Sequence, residues 1–301
     1  MVKTMPATIR RLLPSDRDDI EEISRHIWDG HDYLPSVADE WLKDPKCHFY
    51  GVEADGHIVA VGNLRLVEDG QTGWMEGLRV HPEYRGKGFA NEITDYLVKK
   101  AEHLRVHRLR YTTSDENTAS LKLAKAAGFS KLFEMAVFWS MNLRTAPPIR
   151  GYLPIEETSP ARTYRLLKTN PSIVPYGILI YDWKALDNKL KNLKQIGKNH
   201  KFYIASKNGK ADSLSIGHAR QEPNQMWNFT VYAHDSRGFV SQLSYNVTMG
   251  LERGFKSIGC TFENRFEKTL SQLDFGSEEQ GTAHLVLLEK QIQAQEEHQK
   301  R

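Results

Sequence analysis

Cysteine is nearly absent. Cys47 and Cys260 are the only two in 301 residues. They lie too far apart in sequence for the paired spacing of a metal site, and two thiols make no disulfide framework. No apolar run approaches the roughly 20 residues that span a bilayer. The opening Met-Val-Lys-Thr-Met-Pro-Ala-Thr-Ile-Arg-Arg lacks the apolar core of a signal peptide. No charge of one sign dominates: 41 Lys and Arg stand against 38 Asp and Glu, a net of +3. With both signs mixed, nothing demands nucleic acid. These absences leave a reducing cytoplasm as the default compartment, no membrane and no nucleic-acid partner, and no expected metal. What is present is ordinary for a globular chain, with 40% hydrophobic and 26% charged residues. The length suffices for two domains.

The most informative stretch is residues 76–90, Glu-Gly-Leu-Arg-Val-His-Pro-Glu-Tyr-Arg-Gly-Lys-Gly-Phe-Ala. It reads as a strand ending at Val80, a short loop, and a helix starting near Gly88. Unpaired amides at the helix start, the positive dipole end, and Arg85 and Lys87 suit a pyrophosphate. Gly86 and Gly88 let such a ligand come close. A tight strand-to-helix turn with no ligand is the alternative for the bare pattern. Phe89, Ile93, Leu97, Ala101 and Leu104 then make one helical face.

Upstream, Thr8–Leu13 reads as a strand, and Ser15 with Asp18 as a helix start running to about Ile27. Gly30 to Pro35 breaks that helix, and Ser36 with Asp39 starts a short second one through Leu42. Strands at His48–Ala54 and His57–Val67 flank Asp55-Gly56, a hairpin signal. Leu109–Thr113 is a strand, Thr118–Ala127 a helix closed by Gly128, and Leu132–Met141 a strand. Prolines 147, 148, 154 and 160 mark a linker over 145–162. Beyond it, Trp227–Ala233, Arg237-Gly238 and the following helix echo Trp74–Val80, Arg85-Gly86 and theirs, at a nearly constant offset. Ile258–Phe262, Asn264–Leu273 and His284–Leu288 continue the echo. A second, duplicated unit is expected. It has no glycine where Gly88 sits in the first, so its phosphate loop should be poor or absent.

Arg85-x-x-Gly88-x-Ala90 resembles the acetyl-CoA loop of the GNAT acetyltransferase superfamily. Asn117-x-x-Ser120-x-x-Leu123-Ala124-Lys125-x-x-Gly128-Phe129 resembles its second motif. Gly30-His-Asp-Tyr-Leu-Pro35, Trp41-Leu42-x-Asp44-Pro45 and Glu76-Gly-Leu-Arg-Val80 further resemble the histidine N-α-acetyltransferase family. The resemblance is clearest over 20–130. It implies an α/β (α+β) tandem GNAT fold, with a catalytic domain at 1–145, a linker at 146–162 and a degenerate GNAT-like domain at 163–301. It implies acetyl-CoA as cosubstrate and a small-molecule amine as acceptor, the α-amine of a free amino acid, with L-histidine one candidate. A protein N-terminus or lysine as acceptor, and a non-catalytic acyl-CoA sensor, are the alternatives.

By the same resemblance, Leu78, Arg79 and Val80 present backbone to the pantetheine and thioester. Arg85, Gly86, Lys87, Gly88, Phe89 and Ala90 hold the phosphates, and Asn117 and Ser120 border the pantetheine arm. Glu76, on the same strand face as Leu78 and Val80, is the candidate base. A surface carboxylate or ion-pair partner is its alternative role. His31, Asp32 and Tyr33 would face the acceptor; a helix–helix corner with Tyr33 in the core is the alternative. The family's usual tyrosine, thought to protonate the leaving thiolate, is replaced by Ala124. Tyr33, Ser120 or water would supply the proton, or the thiolate simply leaves.

Overall fold

A computed structural model describes residues 7–27, 30, 32–147, 153–220 and 225–292. The chain divides into two compact units, one drawn from 1–111, 118–132 and 288–301, the other from 112–117 and 133–287. The elements of the first half are β1 (Thr8–Arg11), α1 (Arg17–Arg25), α2 (Leu34–Lys43), β2 (Cys47–Ala54), β3 (His57–Val67), β4 (Thr72–Val80), α3 (Phe89–His103), β5 (Arg108–Ser114), α4 (Thr118–Ala126) and β6 (Ser130–Ser140). In the first unit β1 to β4 pair antiparallel in sequence order, and β4 pairs parallel to β5 through the α3 crossover. The alternation of β2 and the apolar stripes of α1 and α2 meet in one core, where Ile20, Ile23, Leu34 and Trp41 pack on Phe49 and Val61.

Two helix starts differ from the sequence expectation. A 3-10 turn at Pro14–Asp16 precedes α1. Its capping group is Asp16, which accepts from the Leu13 amide at 2.7 Å and is gripped by the Arg10 guanidinium. That cation, six residues upstream on β1, falls outside the three-residue capping pattern, and Asp16 takes the place of the Ser15 and Asp18 pair. In α2 the proline expected to break structure opens it: Pro35 lies in the first turn, where its missing N–H costs nothing. Ser36 donates its hydroxyl to Tyr33 O at 2.6 Å instead of capping.

The second half continues with β7 (Glu156–Thr158), α5 (Pro160–Thr169), β8 (Ile178–Tyr181), β9 (Lys184–Asp187), α6 (Leu190–Ile196), β10 (Lys201–Lys207), β11 (Lys210–Arg220), β12 (Met226–Ala233), α7 (Ser236–Glu252), β13 (Ile258–Phe262), α8 (Glu267–Ser271) and β14 (Gln280–Gln291). Part of the stretch read as linker is thus ordered: Ser159 accepts from the Arg162 amide and caps α5, with Pro160 in its first turn. Within the second unit, β7, β10, β11 and β12 pair antiparallel in line through β10 and β11, and β12 runs parallel to β13 through the α7 crossover. Phe239, Leu243 and Val247 of α7 pack on Val231 and Phe262. Each unit therefore repeats the same plan of antiparallel strands, a crossover helix and a parallel strand.

Candidate active site

The site in the first unit begins with a failure of pairing. β4 and β5 pair only from Thr72↔Arg108 to Trp74↔Arg110 and then part. On its other edge β4 slips register against β3 between Val61↔Arg79 and Asn63↔Glu76. Gly77 takes φ 70° at that bulge. A Cβ there would lie 2.6 Å from the Trp41 ring, so glycine is required on two counts.

The bulge aims the backbone. The His81 amide donates to Val59 O at 2.9 Å. Hydrogen-bonded pairs alternate along an antiparallel ladder, so the Val80 amide, opposite Ala60, points away from β3. Leu78, two residues back, takes the same side. That is the side β5 has left.

After Val80 the chain makes a 3-10 turn at Pro82–Tyr84. Gly86 and Gly88 follow at φ 76° and 94°, and Gly88 caps α3. Arg85, Gly86, Lys87 and Gly88 are exposed. The first amides of α3, from Phe89 and Ala90 onward, have no carbonyl a turn earlier to bond. Arg85 Nε donates to Val80 O at 3.3 Å, and Lys87 Nζ sits 4.3 Å over the Tyr84 ring. These cations fold onto the loop; the space beside Gly86 is open, and Glu92 Oε1 would lie 3.9 Å from a Cβ at Gly88, so a pyrophosphate fits the loop with the Glu92 side chain turned away.

Glu76 Oε1 accepts from Arg65 Nε at 2.9 Å and from Asn63 Nδ2 at 3.1 Å. Arg65 also meets Asp44 at 3.1 Å and Glu40 at 3.4 Å. Burial works against the Arg65 charge, but Glu76 outweighs it and holds its pKa above the ordinary value. The slipped register puts Glu76, opposite Asn63, on the face of Arg79, opposite Val61, and not on that of Leu78 and Val80 as simple alternation predicts; there it is an ion-pair partner. Asn63 and Arg65 are not among the candidate residues the sequence offered, and Trp41 entered only through the family resemblance, with no role. Period-two reading across the β3–β4 hairpin would have found the first two, had the bulge been foreseen.

Asp32 and Tyr33 are tied to the same strand. Arg79 donates through Nε and Nη2 to both Asp32 oxygens at 2.9 Å, and the Asp32 side chain is fully buried. Burial opposes the Arg79 charge, yet this fork raises its pKa. The Arg79 guanidinium lies 5.4 Å from the Tyr33 ring centre. Burial pushes the Tyr33 phenol up, making it a weaker acid than free tyrosine. His31 lies outside the described residues. Asn117 immediately precedes α4 and belongs to the second unit, its amide donating to Ser114 O at 3.1 Å. Ser120 is in the first unit, where its carbonyl accepts from the Tyr111 phenol at 3.2 Å. Ala124 is buried. Both cysteines are buried as well. Desolvation pushes the Cys47 thiol up to about 11 and the Cys260 thiol well above its ordinary value, so neither is a ready nucleophile.

The corresponding place in the second unit is closed. There β12 and β13 stay paired from Trp227↔Ile258 to Val231↔Phe262. The start of α7 is sealed by its own cap, Asp235, which accepts from the Gly238 amide at 2.8 Å. Asp212 lies beside it, its pKa raised by burial and by Asp235. Two carboxylates stand where a phosphate would need donors.

A strand splayed from its parallel neighbour, bulged to free its amides and followed by a glycine loop at a helix start, defines an acyl-transfer fold. The chain belongs to the acetyltransferase (GNAT) family. Residues 17–129 match that family's profile. An acetyltransferase of Yersinia pestis (strain Pestoides F) is 33% identical over 110 residues, covering 34% of this chain and 75% of its own length. Histidine N-acetyltransferase of Oreochromis niloticus is 33% identical over 103 residues, 34% of this chain and 31% of its own. A Homo sapiens protein named "Probable N-acetyltransferase 16" is 30% identical over 199 residues, 59% of this chain and 53% of its own. The chain thus spans about half or less of these last two relatives. Among solved structures, a tandem GNAT protein from the clavulanic acid biosynthesis pathway superposes with TM-score 0.60 at 11% identity, covering 95% of this chain and 98% of that one. A GCN5-related N-acetyltransferase from Sphaerobacter thermophilus gives 0.61 at 16%, covering 95% and 96%. The fold is a tandem GNAT fold. No helix among the described residues is long and apolar enough to cross a membrane.

Proposed function

We propose that the first unit transfers acetyl from acetyl-CoA directly to the α-amine of a free amino acid, with L-histidine the leading candidate. The observation that carries this reading is the parting of β4 from β5 beyond Trp74, with the Val80 amide directed into the gap. Acetyl-CoA supplies an activated thioester. Gly86 to Ala90 hold its pyrophosphate, and the Leu78 and Val80 amides polarise the carbonyl oxygen. Glu76 takes a proton from the acceptor ammonium, directly or through water, freeing the lone pair that attacks. The Arg65 and Asn63 donors fix the Glu76 carboxylate by one oxygen, leaving Oε2 for that task. The amine displaces CoA thiolate, which takes up a proton from water or a nearby hydroxyl.

The second unit holds no comparable gap, and we assign the chemistry to the first alone. Domain limits near 145 and 163 belong to the same proposal, as does a cytoplasmic location. Histidine is favoured because relatives at 33% and 31% identity, in Oreochromis niloticus and Xenopus tropicalis, bear the name histidine N-acetyltransferase. The test is thiol release from acetyl-CoA with each of the twenty amino acids. A strong signal with histidine supports the reading, activity with another amino acid moves the substrate, and silence with all twenty rejects amino acids as acceptors. Glu76→Gln should lower kcat about 10²–10⁴-fold. A rate within twofold of the parent would remove Glu76 from the base role.

A further inference from the structure

The same unit carries a cluster that acetyl transfer does not use. Glu22 and His26 are four residues apart, at the last turn of α1 and the residue that closes it, and so share a face. His81 follows Val80 at the end of β4. One ligand atom from each of these three lies within 4.8 Å of the other two, the only such group of metal-binding side chains among the described residues. His26 Nε2 is 3.2 Å from Glu22 Oε1. The His26 and His81 ring centres are 5.4 Å apart, with the planes at 84°.

We propose that Glu22, His26 and His81 bind a divalent transition-metal ion of the zinc class, with water in the fourth position. Two imidazoles on one tetrahedral ion, each nitrogen about 2.0–2.1 Å away, place their ring centres about 5 Å apart. The rings already stand at that separation. Closing the site needs only a shift of about 1 Å in side chains, since tetrahedral ligand atoms lie about 3.3 Å apart. The Glu22 and His26 side chains are each 44% exposed and free to make it. Two nitrogen ligands favour zinc, cobalt, nickel or copper over magnesium and calcium. The negative end of the α1 dipole adds attraction for a cation. Two existing contacts must yield. The Glu83 amide reaches His81 Nδ1 at 3.4 Å, a long contact. Arg25, exposed, pairs with the second Glu22 oxygen.

The test uses the full chain stripped with chelator and titrated with Co²⁺, whose visible absorption reports tetrahedral nitrogen ligation, then with Zn²⁺ by calorimetry. One equivalent is expected to bind. His26→Ala and Glu22→Gln, both at exposed positions, should each weaken it at least tenfold, and Arg25→Ala should tighten it. Absence of stoichiometric binding would overturn the proposal. So would binding unchanged in both His26→Ala and Glu22→Gln, which would place the ion on other histidines. The readout is independent of acetyl transfer.

Discussion

At Gly77 the chain pays for its cleft with a left-handed residue pressed against an indole. Gly77→Ala should therefore be more than a local strain. The positive φ costs about 1–2 kcal/mol in an L residue. The 2.6 Å approach to Trp41 adds about 1–3 kcal/mol of overpacking. The expected loss, read by urea unfolding, is about 2–5 kcal/mol, and kcat should fall with it because the Leu78 and Val80 amides turn. A variant of parental stability and rate would show that the bulge does not depend on glycine. The fork from Arg79 to Asp32 is the other single-residue commitment. It neutralises the carboxylate that sequence reading offered to a ligand amine, and makes Asp32 a tie between the segment before α2 and β4.

Among the elements, the loop and helix that follow β4 were the most legible in advance. Gly86, Gly88 and the Phe89–Leu104 stripe are local signals, and α3 starts and runs as they indicate. The expected KM effect is likewise local. Gly88→Val cannot hold φ 94° and should raise the KM for acetyl-CoA at least tenfold with a smaller change in kcat. An unchanged KM would remove this loop from phosphate binding. Less legible were features made by partners distant in sequence. The setting of Glu76 depends on Arg65 across a slipped register, and the closure of the second unit on five-residue pairing of β13. The missing glycine after Gly238 did announce an unsuitable loop, but the carboxylates of Asp235 and Asp212 that complete the exclusion are brought together only by the fold.

Over the whole molecule, acid sensitivity should come from histidines whose pKa burial lowers, His48 in the first unit and His200 and His218 in the second. His200 and His218 face each other with ring centres 4.3 Å apart. Burial, then His218, pushes His200 down to about 4, and burial lowers His218 as well. The unfolded chain binds these protons more readily, so their contribution to stability is full above about 6.5 and is lost as pH falls toward 4. For His200 the loss amounts to about 3 kcal/mol at most. His284, between Glu267 and Asp115, works in the opposite direction. Its pKa is raised, chiefly by Glu267, so its contribution is present below the ordinary value and fades as pH rises through the raised one. Unfolding in urea at pH 7.5 and 5.0 should show a net fall on acidification that His200→Asn reduces. A flat profile in the parent chain would place the histidine pair in contact with water.

The parting of β4 from β5 has a consequence for isotope exchange. An amide without a ladder partner swaps its hydrogen with solvent without any strand having to open. Val80 should therefore take up deuterium early, while the interior of the continuous β12–β13 ladder holds its protons until the unit opens. Adding a thioester that accepts a bond from Val80 should slow that one residue by an amount that measures occupancy. The gap proposed for the chemistry thus also supplies a gauge of it that needs no attached reporter group.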